Sequence, residues 1–303
     1  MISFGVAVVA ALISVLLART VSRHLPPVAA VVVMTTTAVG ATVAWLWEVM
    51  LLASFLVGRI PLVAAVGRWS GTGLAAHDGV PGWVSVTACL VLGVIVLGVV
   101  VLARRAAPTA HDLWLLARRT PPCTSDGLSV VRSDQAFAVA VPGWPGRVVV
   151  SSAMLQTLDA TGRQVVLAHE QCHLRRGHYL CRWLMRLSAA IFPPARALVG
   201  ECDFALERWA DESAARVVGD RKLVARALAR AALAGRSAAV TGAMAFPRYA
   251  VTRRVGALLD DPPSMRWGGV TVLALFGLVV LAAAALTTRH TEVSFEIARR
   301  LFI

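Results

Sequence analysis

Four long apolar stretches restrict what this 303-residue chain can fold into. Met1–Ala18 carries no charge before Arg19, and Val28–Gly58 is interrupted only by Glu48. Trp83–Ala103 is closed by Arg104-Arg105, and Gly268–Thr288 stands between Arg266-Trp267 and Arg289-His290. About 20 apolar residues in a helix cross the hydrocarbon core of a bilayer. Within lipid only a helix or a closed barrel satisfies its own backbone. Each stretch is therefore expected to be a membrane span, with Val28–Gly58 long enough to tilt or to extend beyond the bilayer. Met1–Ala18 lacks the basic start and small-residue cleavage site of a signal peptide, so it is expected to remain as an anchor. Trp83 and Trp267 sit at span ends, where aromatic belts form.

Composition supports this reading. The chain is 57% hydrophobic and 16% charged, whereas soluble domains are about half apolar and about a quarter charged. The net charge of +13 lies mostly in residues 104–267, which carry 23 basic and 13 acidic side chains. Those residues show no nucleic-acid-binding motif, so no nucleic acid partner is expected. Anionic lipid is the natural neighbour of such a surface. The positive-inside rule puts 104–267 in the cytoplasm of a multi-pass cell-membrane protein, together with the 19–27 loop. Residues 59–82 and the C-terminal segment then fall outside. Three domains are expected: a membrane region over 1–103, a compact region over 104–267, and a fourth span with a short tail over 268–303. Cys89, Cys123, Cys172, Cys181 and Cys202 are an odd set without paired spacing, which argues against a disulfide framework.

Between the third and fourth spans, Gln135–Val141 and Arg147–Ser151 read as strands around Pro142-Gly143-Trp144-Pro145-Gly146, a predicted hairpin. Ser152–Asp159 reads as a short helix. Thr161-Gly162-Arg163-Gln164 has the form of a capping box opening a helix that runs past His173. Pro193-Pro194 precedes a second long helix ending at Gly219. Asp220 caps a third ending at Gly235, and a fourth covers about Tyr249–Leu259. The fold class is mainly α, with an α+β region inserted into a four-helix transmembrane arrangement.

The predicted helix through 161–173 carries His169-Glu170-Gln171-Cys172-His173. Two histidines four apart share a helix face and can grip one metal. Imidazole suits zinc, whose catalytic sites keep one position open for water. Glu170 stands beside them as a general base, and zinc lowers that water's pKa toward ~7 while polarising a carbonyl. On the second helix, Glu207 and Asp211 lie one turn apart, with Ala214 continuing the face. Glu207 is expected to be the third ligand and Asp211 to orient a ligating histidine. The rivals fall on spacing. A metzincin-type site would need Gly and His where Arg176 and Tyr179 stand. Glu201 and Asp203 have no aspartate four residues later. His178, five residues after His173, would point about 140° away on a continuous helix and is expected to be a surface histidine. Cys172 is expected to be a buried thiol, and Cys181 and Cys202 to be packing residues. Glu48 is either a functional carboxyl or one paired or snorkelling at an interface. The hairpin is expected to offer an edge strand to an extended substrate, with Ala138 and Val139 in contact with it.

Together these motifs resemble the gluzincin peptidases of membranes, and in particular the BlaR/MecR family of antirepressor metallopeptidases. HtpX-like proteases share the same two motifs. The likeness covers about residues 135–260, including Ala136-Phe137-Ala138-Val139, Val148-Val149-Val150-Ser151-Ser152 and Arg254-Val255-Gly256-Ala257-Leu258-Leu259. It implies a zincin-like fold, one Zn²⁺ per chain, and cleavage of a protein substrate, such as a transcriptional repressor, at the cytoplasmic face. The alternatives are an HtpX-like quality-control peptidase and a non-catalytic receptor with a structural metal site. Those sensors carry a penicillin-binding domain after the fourth span. Here only a short tail follows it, and no serine stands in an S-x-x-K pattern, so acylation by a penicillin is not expected.

Overall fold

The computed structural model describes residues 2–120, 127–143, 146–234, 248–261 and 267–302. Cys123, Trp144-Pro145 at the centre of the predicted turn, Gly235 and Arg266 lie outside the described residues.

Four helices are long and apolar enough to cross a membrane: α1 (Ile2–Ser22), α2 (Pro27–Gly58), α5 (Gly82–Arg119) and α12 (Trp267–Arg300). Pro27 opens α2 at its first turn, where a missing N–H costs nothing. α1 packs on α2 and α12, and α2 also packs on α5. Their contacts are made by small side chains, among them Ala10, Ala11 and Ala18 of α1 and Ala30, Ala38 and Ala41 of α2, all buried. Without a hydrophobic drive between helices in lipid, close approach through small residues is what holds them. Glu48 is buried in α2 beside Thr287 of α12 rather than reaching for an interface.

Three of the spans are longer than their apolar runs. α1 continues past Arg19. α5 continues 16 residues beyond Ala103, through Pro108, with no break at the expected boundary. α12 continues through the expected tail. Its far end packs on α4 (Gly71–His77), which follows α3 (Pro61–Gly67). Ser70 N–H donates to the Ala298 carbonyl at 2.9 Å, and Phe295 packs on Phe55 and Trp69. The 59–82 segment and the end of the chain therefore share one end of the bundle, as their common side in the predicted topology requires. Charged residues end an apolar run without ending a helix, because the helix requires only backbone bonds.

Strands β1 (Leu128–Val131), β2 (Ala138–Val141) and β3 (Arg147–Ser151) form a sheet in the order β1-β3-β2. β2 pairs antiparallel to β3, with Val139 opposite Val149, as the predicted hairpin requires. β1, parallel to β3, was not anticipated. β2 begins at Ala138 rather than Gln135. Ser151 Oγ accepts from Phe137 N–H at 2.9 Å, replacing a ladder bond, and also from Met154 N–H, which opens α6 (Ser152–Thr157).

α7 (Ala160–Arg175) is capped by Asp159, whose carboxylate accepts from Gly162 N–H at 2.7 Å. The capping box at Thr161 is thus corrected: the acidic residue two positions earlier reaches the free N–H first. α7 stops at Gly177, in the left-handed region at φ 62°, and α8 (His178–Ile191) starts directly after it. A 3-10 turn at Pro193–Ala195 leads into α9 (Arg196–Val218), which ends at Gly219 with φ 76°. α10 (Arg221–Ala234) and α11 (Arg248–Leu259) follow. Asp220 caps α10 by accepting from the Lys222 and Leu223 N–H groups. α8 and the first half of α9 are built into the bundle: Met185, Leu198 and Cys202 share a core with Val15, Ala18 and Met34.

Candidate metal centre

α9 crosses α7, and the alanines at Ala210 and Ala214, both fully buried, let the two backbones come close. That contact faces Glu207 and Asp211 toward His169 and His173. His169 Nε2 stands 3.2 Å from His173 Nε2 and 3.4 Å from Glu207 Oε2, and His173 Nε2 lies 3.5 Å from Glu207 Oε1. A tetrahedral zinc with bonds of about 2.0–2.1 Å spaces its ligand atoms about 3.3–3.4 Å apart. The two ring nitrogens stand close to that spacing, and the Glu207 carboxylate comes within reach of each ring through a different oxygen, so a modest turn of the carboxylate would close the set. Among the described residues this is the one cluster of His, Cys, Asp and Glu side chains that could hold a metal ion. Glu201 instead pairs with Arg23 at 2.8 Å, and Asp203 with Arg182 and Arg186.

The donors are held from behind. Asp211 Oδ1 lies 3.0 Å from His169 Nδ1. Arg254 of α11 donates to both Asp211 oxygens at 2.6 and 2.8 Å and reaches Glu207 Oε2 at 2.8 Å. Arg182 of α8 donates to Glu207 Oε1. His173 is supported differently: its Nδ1 lies 2.8 Å from Nδ1 of His178. His178 is fully buried against Trp209, and its Nε2 is without a hydrogen-bond partner. The expected surface histidine is thus overturned. The 140° turn was counted along a continuous helix, and Gly177 ends that helix, so the angle does not carry across.

Glu170 turns its Oε2 to the N–H of Ala140 in β2, 2.9 Å away. β2 is the sheet's edge strand on this side, and Ala138, Val139 and Ala140 line a cleft of about 240 Å³ with Glu170, Tyr179 and both histidines. Cys172, by contrast, is a buried thiol whose pKa burial pushes up, and it lies outside that cleft. The described cysteines are all free.

Burial and charge shape the protonation of the site. Burial works against ionised Glu207, yet His169 and Arg254 hold its carboxyl well below the usual range. Burial also opposes the His169 cation, but Asp211 and Glu207 outweigh it and lift the group to about 9. Burial, together with that cation, pushes His173 down to about 2. Of the two rings, His169 is therefore the one that carries the extra proton, and metal binding at such a donor set displaces it. Burial raises the Glu170 carboxyl to about 7, with His169 partly offsetting it. A carboxyl near neutrality can both take and return a proton.

Arg182 and His178 were not anticipated as part of the site. They stand four apart on α8, a helix-face signal visible in sequence only once α8 is known to start at His178. Residues 125–252 match Peptidase family M48. The match covers less than half of the chain; it includes His169, Glu170, His173, Glu207 and Asp211, and ends two residues before Arg254. No curated protein and no solved structure matches the chain.

Proposed function

We propose that the chain is a membrane-embedded zinc endopeptidase of one Zn²⁺ per chain, hydrolysing peptide bonds of protein substrates at the cytoplasmic face. The observation that carries this is the gathering of two histidine nitrogens and the Glu207 carboxylate within reach of one ion, with the Glu170 carboxyl beside them in a cleft walled by an edge strand. The family match over the same residues supports it. His169, His173 and Glu207 would hold the ion, which supplies Lewis acidity by polarising the scissile carbonyl and acidifying a water. Three protein donors and a retained carboxyl beside them argue against a closed, purely structural site, which takes four ligands.

The chain's own residues do the remaining work. Glu170 accepts the proton of the attacking water and returns it to the departing amine. Ala140 N–H orients that carboxylate. Ala138 and Val139 bind the substrate backbone in extended form along β2, which lets side chains vary. Asp211 and His178 fix the two imidazole rings, and Arg254 holds Asp211 in place. The resemblance to BlaR/MecR and HtpX-like proteins extends the reading to regulatory or quality-control proteolysis. Proteomics comparing cells that carry wild type with cells that carry Glu170→Gln would identify the substrate. In purified protein, Glu170→Gln is expected to lower peptide hydrolysis by about 10²–10⁴-fold while zinc, read by atomic absorption, stays bound. Loss of zinc in that variant would overturn the role of Glu170.

A further inference from the structure

On α8 the buried face, His178, Arg182, Met185 and Ser188, looks toward the metal centre and the bundle. The opposite face leaves Tyr179, Leu180 and Trp183 uncovered, at 52%, 55% and 50% exposure. Three large apolar side chains within five residues, one of them at the rim of the cleft, call for a partner.

Position along the bundle identifies it. The far end of α8 abuts α5, where Gly98 lets the Ala190 carbonyl come close; a Cβ at Gly98 would stand 3.2 Å from that oxygen. Gly98 is six residues, about 9 Å of helix, inside the level of Arg104, where the apolar run of α5 ends. From Ala190 back to Trp183 is about 10 Å of helix, and to Tyr179 about 16 Å. Even if α8 ran straight along the bundle axis, Trp183 would stand about 1–2 Å and Tyr179 about 7 Å beyond the Arg104 level. Inclining α8 lowers both, Trp183 to the Arg104 level at about 30° and Tyr179 at about 55°. The headgroup layer is about 5–7 Å thick on each side. Trp and Tyr are the side chains enriched there. Arg175, Arg176 and Arg186, all exposed, flank the three and suit anionic lipid. The sheet stands farther out. Arg147 of β3 reaches the Ala117 carbonyl of α5, 13 residues or about 20 Å past Arg104. The cleft therefore lies between β2 on its outer side and a rim at headgroup level.

We propose that the outer face of α8 lies in the lipid headgroup layer, and that the cleft takes peptide segments presented at that surface, such as those flanking a membrane span. The lipid contact stands on position and exposure alone; the substrate class rests on the peptidase reading. The full chain, placed in vesicles of phosphatidylcholine and phosphatidylglycerol with a nitroxide amino acid at position 180, tests the contact. Relaxation by oxygen exceeding relaxation by a soluble nickel chelate is expected. Relaxation dominated by the chelate would overturn the contact and indicate a face open to water or to a protein partner. The substrate class is tested with one peptide sequence held to the lipid by a short or by a long flexible spacer. Wild type is expected to cut the short-spacer form about tenfold faster. Leu180→Ser/Trp183→Ser is expected to lose that preference while keeping zinc and the rate on free peptide. Equal rates for the two spacers in wild type would overturn the substrate class. Failure of zinc-loaded wild type to cut any peptide would instead strike the peptidase reading, and the nitroxide measurement would still decide the lipid contact.

Discussion

In the helical bundle, α1 and α2 share a core in which Ala10, Ala11, Ala18, Ala30 and Ala38 are buried with Val15, Val31 and Met34, and Glu48 is the one carboxyl buried in α2. Around the metal centre, α7, α8, α9 and α11 meet through Glu207, Asp211, Arg182, Arg254 and three histidines, all but His169 nine-tenths buried or more. Shape decides the first region and charge balance the second. In lipid, helices gain little from apolar contact itself, so the fit of small surfaces matters. Around the histidine–carboxylate cluster each buried charge is tolerated because another neutralises it, and removing one leaves its partner exposed to the cost of burial.

The difference is broken most severely at Glu207. Glu207→Ala leaves two histidines and removes a buried carboxylate that both Arg182 and Arg254 face. Loss of both zinc and hydrolysis is expected, and full zinc occupancy by atomic absorption would show that another group is the third ligand. Arg254→Ala comes next, because it takes the buried guanidinium away from both Asp211 oxygens and from one oxygen of Glu207. It is expected to destabilise the domain by about 3–5 kcal/mol, measured by unfolding in detergent, and an unchanged midpoint would contradict the charge-balance account. The two ring supports give a finer contrast. Asp211→Ala and His178→Phe are each expected to weaken zinc binding ~10–100-fold, read by competition with a chelator. His178→Asn should recover most of that loss, since its carbonyl oxygen can accept from His173. A full loss in His178→Asn would mean that His178 acts only by filling space. The smallest pair lies in the bundle. Ala18→Leu is expected to cost about 1–3 kcal/mol by overpacking, whereas Val94→Leu on the exposed face of α5 should stay within about 0.5 kcal/mol. Equal effects would mean that shape is not what holds the bundle.

The spans, the histidine pair and the Glu207–Asp211 pair were legible in sequence because each is a pattern within one helix. Apolar length marks the spans, and a spacing of four marks each pair. What escaped depends on contacts between elements. β1 is a short run of four residues whose partner, β3, is the far strand of the hairpin, with β2 between them in sequence. The extensions of α5 and α12 carry charged residues such as Arg104, Arg105, Asp112, Glu292 and Glu296, and look polar to a hydropathy count. Arg182 acquires meaning only when α8 folds against α9. His178 was placed on the surface by an angle valid only for an unbroken helix, and one glycine at positive φ, Gly177, changed its neighbours altogether.

α5 runs without interruption for 38 residues, about 57 Å at 1.5 Å per residue. At its outer end the Ala117 carbonyl and the Thr120 hydroxyl both accept from the Arg147 side chain at the start of β3, and β3 carries β2, whose Ala140 holds Glu170. One continuous rod thus joins the apolar span to the strand that positions the Glu170 carboxyl. Its leverage is large: a tilt of about 5° at the membrane end displaces the other end by about 5 Å over that length. A change in the tilt of α5 is carried along this rod toward the strand that positions Glu170, and Pro108 is the point inside it where a backbone hydrogen bond is missing and a bend costs least.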